Sequence, residues 1–417
     1  MINIDSRVLE DTIIGIKEEF KPSYFEIFGC FYLGQGYSLA SMVFLLLRYI
    51  NNELSTNSFS TSIGISAIML FPWYFKVIFG ILTDNFPIGN LGRRKPYLVI
   101  ATFMSLIGWV TLPIHQTANI WFILSGTLLA TGAAFGDSVI DAQAVEVTPD
   151  EFISRLQGVA WGSRGLGIGA AGIGSSLLVT NIGWDAMFIV SGIFGVTITL
   201  IALVLPQASV NLYNLTLSDK IKNIKISIKE IITVYPRFIH LVYFLISGMS
   251  IAIVPLFAVL MEKDFNFDIS TTGIAALFFA IGSFLGAVSS GIIFDKRDTF
   301  AAYVTLIVFY ALNLTAGLVF LSTDDFNLKI VFIFTIGITS AAFEAFQLKV
   351  IQETSPKNSE GTAFATYTGI SNVGQFALGG FLMIYLSELF NLSTFITLQI
   401  STVFLVVSIF VMKKMRY

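Results

Sequence analysis

Charged residues stand in stretches that are otherwise apolar, among them Lys76, Asp137, Asp141, Glu146, Arg164 and Glu344. A charge at membrane depth costs roughly 2.5–3.5 kcal/mol even on insertion scales, so each one needs a partner or a ligand. Arg164 offers a guanidinium fork that can hold a carboxylate through two parallel hydrogen bonds, and Lys76 adds a second positive charge without that fork. Asp137 and Asp141 are four residues apart and share one helical face. Carboxylates in such a setting can bind and release protons, which makes Asp137, Glu344 and Glu146 candidates for proton coupling. Trp161, three residues before Arg164, presents a flat face that could stack on a heterocycle. Gln35, Asn372 and Gln375 add neutral hydrogen-bonding groups. Arg164, Lys76, Asp141, Trp161, Gln35, Asn372 and Gln375 are therefore the candidate substrate-binding set. Each has a plainer reading beside it. The charges can be ion pairs that only hold helices together, with Arg164 neutralising Asp137 or Asp141. The amides can be interhelical bonds, and Trp161 can be core. No nucleophile–base motif is readable, so no catalytic residues are expected. Cys30 stands alone, and His115 and His240 are far apart, so neither a metal nor a cofactor is expected.

The elements that position these groups are set by composition. Of 417 residues, 55% are hydrophobic and 12% charged, with a mean hydropathy of +0.80. Soluble domains carry about 25% charged residues, so this chain cannot cover a water-facing surface. A soluble enzyme, a disulfide scaffold and a disordered chain are excluded. A net charge of −3 gives no nucleic-acid signal. The first 22 residues are of mixed charge and lack the apolar core of a cleavable signal. Apolar runs predict an all-α membrane protein with twelve transmembrane helices, near 24–50, 61–83, 97–114, 120–147, 156–180, 185–206, 237–261, 272–294, 301–321, 328–352, 361–387 and 393–412. The longest polar stretch, 207–236, carries Lys220, Lys222, Lys225 and Lys229 at nearly helical spacing. It divides the chain into a six-helix half over 1–206, a cytoplasmic linker over 207–236 and a second half over 237–417. Of the 24 Lys and Arg residues, 18 fall on one side of this topology, two on the other, and four inside spans. The positive-inside rule then places both termini and the linker in the cytoplasm. Counted from the cytoplasmic ends, Lys76, Asp141 and Arg164 share one stratum about 10–12 Å deep, with Asp137 one turn deeper.

The two halves match each other at offsets of 207 to 211 residues. Gly80-Ile81-Leu82-Thr83-Asp84 corresponds to Gly291-Ile292-Ile293-Phe294-Asp295. Val145-Glu146-Val147-Thr148-Pro149 corresponds to Gln352-Glu353-Thr354-Ser355-Pro356, and Asp137 to Glu344. Gly162, Gly167 and Gly172 align with Gly369, Gly374 and Gly379. A duplicated six-helix unit resembles the plan of the major facilitator superfamily and implies a central site between the halves.

Residues 71–97 contain Phe71-Pro72-Trp73-Tyr74-Phe75-Lys76, Gly80, Asp84, Pro87-Ile88 and Gly92-Arg93-Arg94-Lys95-Pro96-Tyr97. The Gly…Asp…Gly-Arg-Arg part is similar to the general superfamily loop motif. The flanking Pro-Trp-x-x-Lys and Pro-Tyr resemble the folate–biopterin transporter family. So do Gly136-Asp137-Ser138-Val139-Ile140-Asp141-Ala142, Glu146, and Arg155-Leu156-Gln157-Gly158 with Trp161-Gly162-Ser163-Arg164. The resemblance is carried by residues of about 70–175, and the second half is similar only to the superfamily at large. In the loop motif Gly80 allows span 2 to approach a helix of the other half, Asp84 can cap a facing helix N-terminus, and Arg93 or Arg94 can pair with a neighbouring acid. Gly80, Asp84, Arg93, Arg94 and the repeat counterpart Asp295 are the candidate gate. The resemblance implies a secondary transporter that moves a small polar or anionic solute, a folate or pterin, by alternating access, with protons as the candidate coupling ion. Sugar–cation symport, drug–proton antiport and a non-transporting scaffold for a pigment or a complex are the alternatives. The expected partners are a small-molecule solute, the lipid bilayer and protons, with no nucleic acid. The expected form is a monomer in the cell membrane.

Overall fold

The computed structural model describes residues 20–415 apart from 55–58, 89–91, 208, 211–215, 234, 252–256, 258–259, 294–298, 322, 356–358 and 391, together with Ile13–Ile14. Each of the twelve predicted segments contains helix among the described residues. Among the described residues eight helices are long and apolar enough to cross a membrane. The first half contains α1 (Ser23–Asn51), α2 (Phe59–Met69), α3 (Lys76–Asn85), α4 (Lys95–Thr111), α5 (Ile120–Val147), α6 (Ile153–Ala170), α7 (Ser176–Asn181) and α8 (Trp184–Ile201). Then come α9 (Leu217–Thr233) and α10 (Tyr235–Ser250). The second half continues with α11 (Ile269–Ile293), α12 (Thr299–Leu321), α13 (Phe326–Thr354), α14 (Glu360–Asn372), α15 (Met383–Leu389) and α16 (Thr394–Lys413). Ile13–Ile14 pairs antiparallel with Ser209–Val210, two residues of extended chain beside an otherwise helical fold.

The helices begin and end for local reasons. The Asn119 side chain accepts from the Trp121 and Phe122 amides, which fixes the start of α5. Asp325 does the same for α13. Gly183, at a φ of 104°, turns the chain between α7 and α8. Phe103, Ile193, Phe309 and Phe410 are exposed on outer faces, as lipid-facing side chains are.

The segment read as one helix over 61–83 is broken. Pro72 has no amide hydrogen to continue the ladder, and its ring collides with the carbonyl four residues back. The chain passes through a 3₁₀ turn at Phe71–Trp73, leaves helical geometry at Phe75 (φ −106°, ψ 26°) and restarts at Lys76. Asn372 of α14 donates to the Trp73 carbonyl at 3.3 Å, taking up an acceptor near the break. The second half has its own irregularity. Ten residues, Val373–Leu382, form wide π-type turns between α14 and α15. Such widened turns recur at functional sites.

Candidate functional site

Two clusters of buried charge lie where the halves meet. The deeper one is built on the restart of α3 and on one face of α5. The break brings Lys76 to the first turn of α3, where it is 1% exposed. Its ammonium lies 2.5 Å from Asp137 Oδ2 and 2.9 Å from Asp141 Oδ2. The i, i+4 spacing on α5 turns both carboxylates toward it. Each carboxylate has a second donor from α1: Gln35 Nε2 donates to Asp137, and Tyr32 Oη donates to Asp141 at 2.5 Å. One ammonium thus faces two carboxylates, leaving an excess of one negative charge when all three are ionised.

Arg164 is arranged differently. Its guanidinium lies 4.2 Å from the centre of the Trp161 ring, and it makes no hydrogen bond or ion pair among the described residues. It is nevertheless 7% exposed. A ring face attracts the charge but leaves the five N–H donors unused. The backbone here is drawn in tightly: a Cβ on Gly36 would stand 2.0 Å from the Arg164 carbonyl oxygen, so α1 and α6 meet at glycine and Arg164 is anchored at its base. Trp161 Nε1 donates to Glu344 of α13 across the interface of the halves. Gln375, in the π-type segment, donates to the other Glu344 oxygen at 3.3 Å and to the Ile251 carbonyl at 3.0 Å.

These groups surround a small cavity to which both halves contribute. Trp73, Lys76, Asp137, Asp141, Trp161 and Arg164 line one side, and Glu344, Gln347, Ser371, Asn372 and Gln375 the other. Trp73 Nε1 is buried and has no hydrogen-bond partner among the described residues. Like Arg164, it presents the wall with N–H groups that are unused among the described residues.

The shallower cluster joins the end of α3 to the start of α14. Asp84 Oδ2 accepts from the Thr362 amide at 2.6 Å and the Thr362 hydroxyl at 2.8 Å, and Oδ1 from the Gly361 amide at 3.3 Å. A carboxylate from one half therefore caps a helix N-terminus in the other. Arg94 Nη2 lies 2.8 Å from Asp84 and 2.6 Å from Glu146, and Nη1 donates to Thr83 at 2.6 Å. Arg93 lies 2.5 Å from Glu146 and 3.5 Å from Glu360. A Cβ on Gly80 would meet the Gly361 carbonyl oxygen at 2.2 Å, so only glycine permits this approach. Nearby, Gln157 donates to Gln352 at 2.7 Å, and Gln352 to the Ala144 carbonyl at 3.0 Å, tying α6, α13 and α5 together.

The structure thus brings Gln35, Lys76, Asp137, Asp141, Trp161, Arg164, Glu344 and Gln375 into one connected region, with Asn372 on its wall. Asp84, Arg93, Arg94 and Gly80 stand in the shallower cluster. Glu146 joins that cluster and not the coupling carboxylates, because it sits one to two turns further along α5, opposite both arginines. The neutralising partner of Asp137 and Asp141 is Lys76 and not Arg164. Asp295 lies outside the described residues. Sequence reasoning did not nominate Trp73, Tyr32, Gln347 or Glu360. Trp73 carried a signal, since Pro72 beside it marks a break in a membrane helix. Tyr32 and Gln347 carried none, because nothing local distinguishes them from packing residues.

The family model of the Major Facilitator Superfamily matches residues 27–377 and again 239–415. A probable folate-biopterin transporter 4 of Arabidopsis thaliana is 29% identical over 184 residues, 42% of this chain and 36% of that protein. The folate-biopterin transporter of Synechocystis is 25% identical over 34% of this chain and 28% of its own length. Folate transporter 1 of Plasmodium falciparum is 23% identical over 59% of this chain and 49% of its own. The matched stretches therefore span between about a quarter and a half of these relatives' lengths. Among solved structures, the human organic anion transporter MFSD10 superposes with a TM-score of 0.72 at 10% identity, over 94% of this chain and 100% of that one. A bacterial homologue of the iron transporter ferroportin in its outward-facing state gives 0.68 at 11% identity, over 95% and 99%. With a family match running through nearly all of the helical chain, and curated relatives that are folate–biopterin transporters, this multi-pass membrane protein belongs to the major facilitator superfamily.

Proposed function

We propose that the chain is a secondary transporter of a small anionic heterocyclic solute, of the folate or pterin kind named for its relatives, working by alternating access between two six-helix halves. The observation that carries this reading is Arg164: a guanidinium that makes no hydrogen bond or close ion pair among the described residues, with the Glu344 carboxylate acting on it only from a distance, lining a cavity to which both halves contribute. A substrate carboxylate takes up the fork of Arg164, and an acceptor on the ring system takes up Trp73 Nε1. Asp137 and Asp141, short of one positive charge beside Lys76, and Glu344, held between the halves, are the proton-coupling groups. The bonds from Asp84 to α14 close the cytoplasmic side when they form and release when it opens. The 18-to-2 split of basic residues supports cytoplasmic termini and twelve spans.

The test is accumulation of labelled folate in proteoliposomes with and without a proton gradient. Gradient-dependent uptake is expected, and its absence for both folates and pterins would sink the substrate assignment. Arg164→Ala separates ligand from structural roles. The expected variant folds and does not bind, whereas wild-type affinity in it assigns Arg164 to structure. Orientation is tested by single cysteines. Positions 54, 117 and 389 should label from outside the cell, and 90, 225 and 358 should not.

A further inference from the structure

The basic stretch between the halves forms α9, whose surface is sorted into three faces. Ile231 is 1% exposed against the body of the protein, and Ile224 and Ile228 lie on the same side, half-buried. Next to that face runs an apolar edge left open: Leu217, Ile221 and Ile232 are 64%, 43% and 50% exposed. Beyond this edge stand Lys222, Lys225 and Lys229, at i, i+3 and i+7, all exposed and without an ion pair among the described residues. The acids of the helix, Asp219 and Glu230, lie away from the apolar edge, on the far side of the lysine row, with Asp219 one turn before Lys222 and close enough to act on it. Asp219 is bound to Thr216 in a reciprocal cap, its carboxylate accepting from the Thr216 amide and hydroxyl at 3.1 and 2.6 Å. Glu230 is paired with Arg237. Among the described residues Asp219 acts on Lys222 without a close ion pair, and Lys225 and Lys229 have no ion pair.

The helix is also held in a defined place. It bends by 71° from the helix beginning at Arg237, so it lies across the bundle axis. Lys220 rests 5.4 Å from the Phe86 ring, next to the end of α3, and α9 also touches α14. A helix lying flat at the level of the span ends, with an open apolar edge bordered by unpaired lysines, has the form of an interfacial helix. We propose that α9 docks on the anionic phospholipid surface of the leaflet it borders, with Ile221 and Ile232 at the acyl boundary and Lys222, Lys225 and Lys229 on lipid phosphates. The charge pattern decides for lipid over a protein partner: lysines beside short aliphatic side chains reach a diffuse anionic plane by snorkelling and lack the aromatic anchors of a protein interface.

The test uses the full chain with Cys30→Ser and Ile232→Cys, labelled with a polarity-sensitive fluorophore and placed in lipid nanodiscs carrying a headgroup nitroxide quencher. Discs of phosphatidylcholine alone are compared with discs containing phosphatidylserine. Quenching and a blue shift are expected with phosphatidylserine, and weaker signals in neutral discs. Each lysine near an anionic surface favours docking about fivefold, so changing Lys222, Lys225 and Lys229 together to Gln should weaken it about a hundredfold. High salt should act in the same direction. Equal quenching in both discs, or an unchanged triple variant, overturns the proposal. Competition by inorganic phosphate at constant ionic strength also overturns it, by making the lysines a site for a soluble anion. None of these readouts depends on substrate or on transport.

Discussion

The two charged clusters between the halves use the same residue types and differ in how completely they are satisfied. At the shallow cluster Asp84 accepts from two backbone amides, a hydroxyl and Arg94, and Glu146 lies against both arginines. At the deep cluster Lys76 is neutralised by two aspartates, yet among the described residues Arg164 has the face of Trp161 and the more distant Glu344 but no hydrogen bond, and Trp73 Nε1 has no partner. A satisfied buried network rigidifies, and an unsatisfied one is costly until something binds. The difference is what the proposed division of labour rests on, with the shallow cluster as a contact between the halves and the deep one as the place that meets a solute. The arrangement is not perfectly partitioned, since Arg93 Nε is also buried without a partner in the shallow cluster.

The comparison breaks first at Arg164. Arg164→Lys keeps the charge and loses the fork, and affinity for an anionic substrate should fall about ten- to a hundredfold, read by equilibrium binding. Unchanged affinity places Arg164 with the structural groups. Asp84→Asn should act on the cycle instead. Turnover is expected to fall about tenfold while binding changes little, because the lost charge-assisted bonds join helix ends and do not reach the cavity. If binding is abolished with the accessibility of the cycle intact, the two clusters are not functionally distinct. Gly80→Ala places a methyl group where the Gly361 carbonyl now lies. Overpacking of this kind costs about 1–3 kcal/mol, here only in the arrangement that joins α3 to α14. Cysteine accessibility from the cytoplasmic side should therefore rise, and no rise means the contact is not part of a gate. The smallest effect is expected at Trp73. Trp73→Phe keeps an aromatic ring and removes the unpaired donor, so affinity should fall about threefold with thermal stability unchanged or higher. A loss of stability would show that Nε1 is satisfied in the folded protein and not waiting for a ligand.

The apolar runs, the asymmetry of basic residues and the motif around Gly80 and Asp84 were legible because each is written in local composition or short spacing. The same is true of the stratum of intramembrane charge, since a charged residue in an apolar run announces itself. Pairing was not legible. From depth alone Lys76 and Arg164 were equivalent partners for Asp137 and Asp141, and Glu146 was one more carboxylate on the same helix. The break at Pro72 settled the first question by turning Lys76 toward α5, and the few residues between Asp141 and Glu146 settled the second. Sequence determined that this chain lives in a bilayer and which residues carry charge into its apolar runs, because transfer free energy depends on composition. Which charge is neutralised and which is left for a ligand was decided only in three dimensions, because an ion pair falls off within a few ångströms and those are set by how helices far apart in the chain cross.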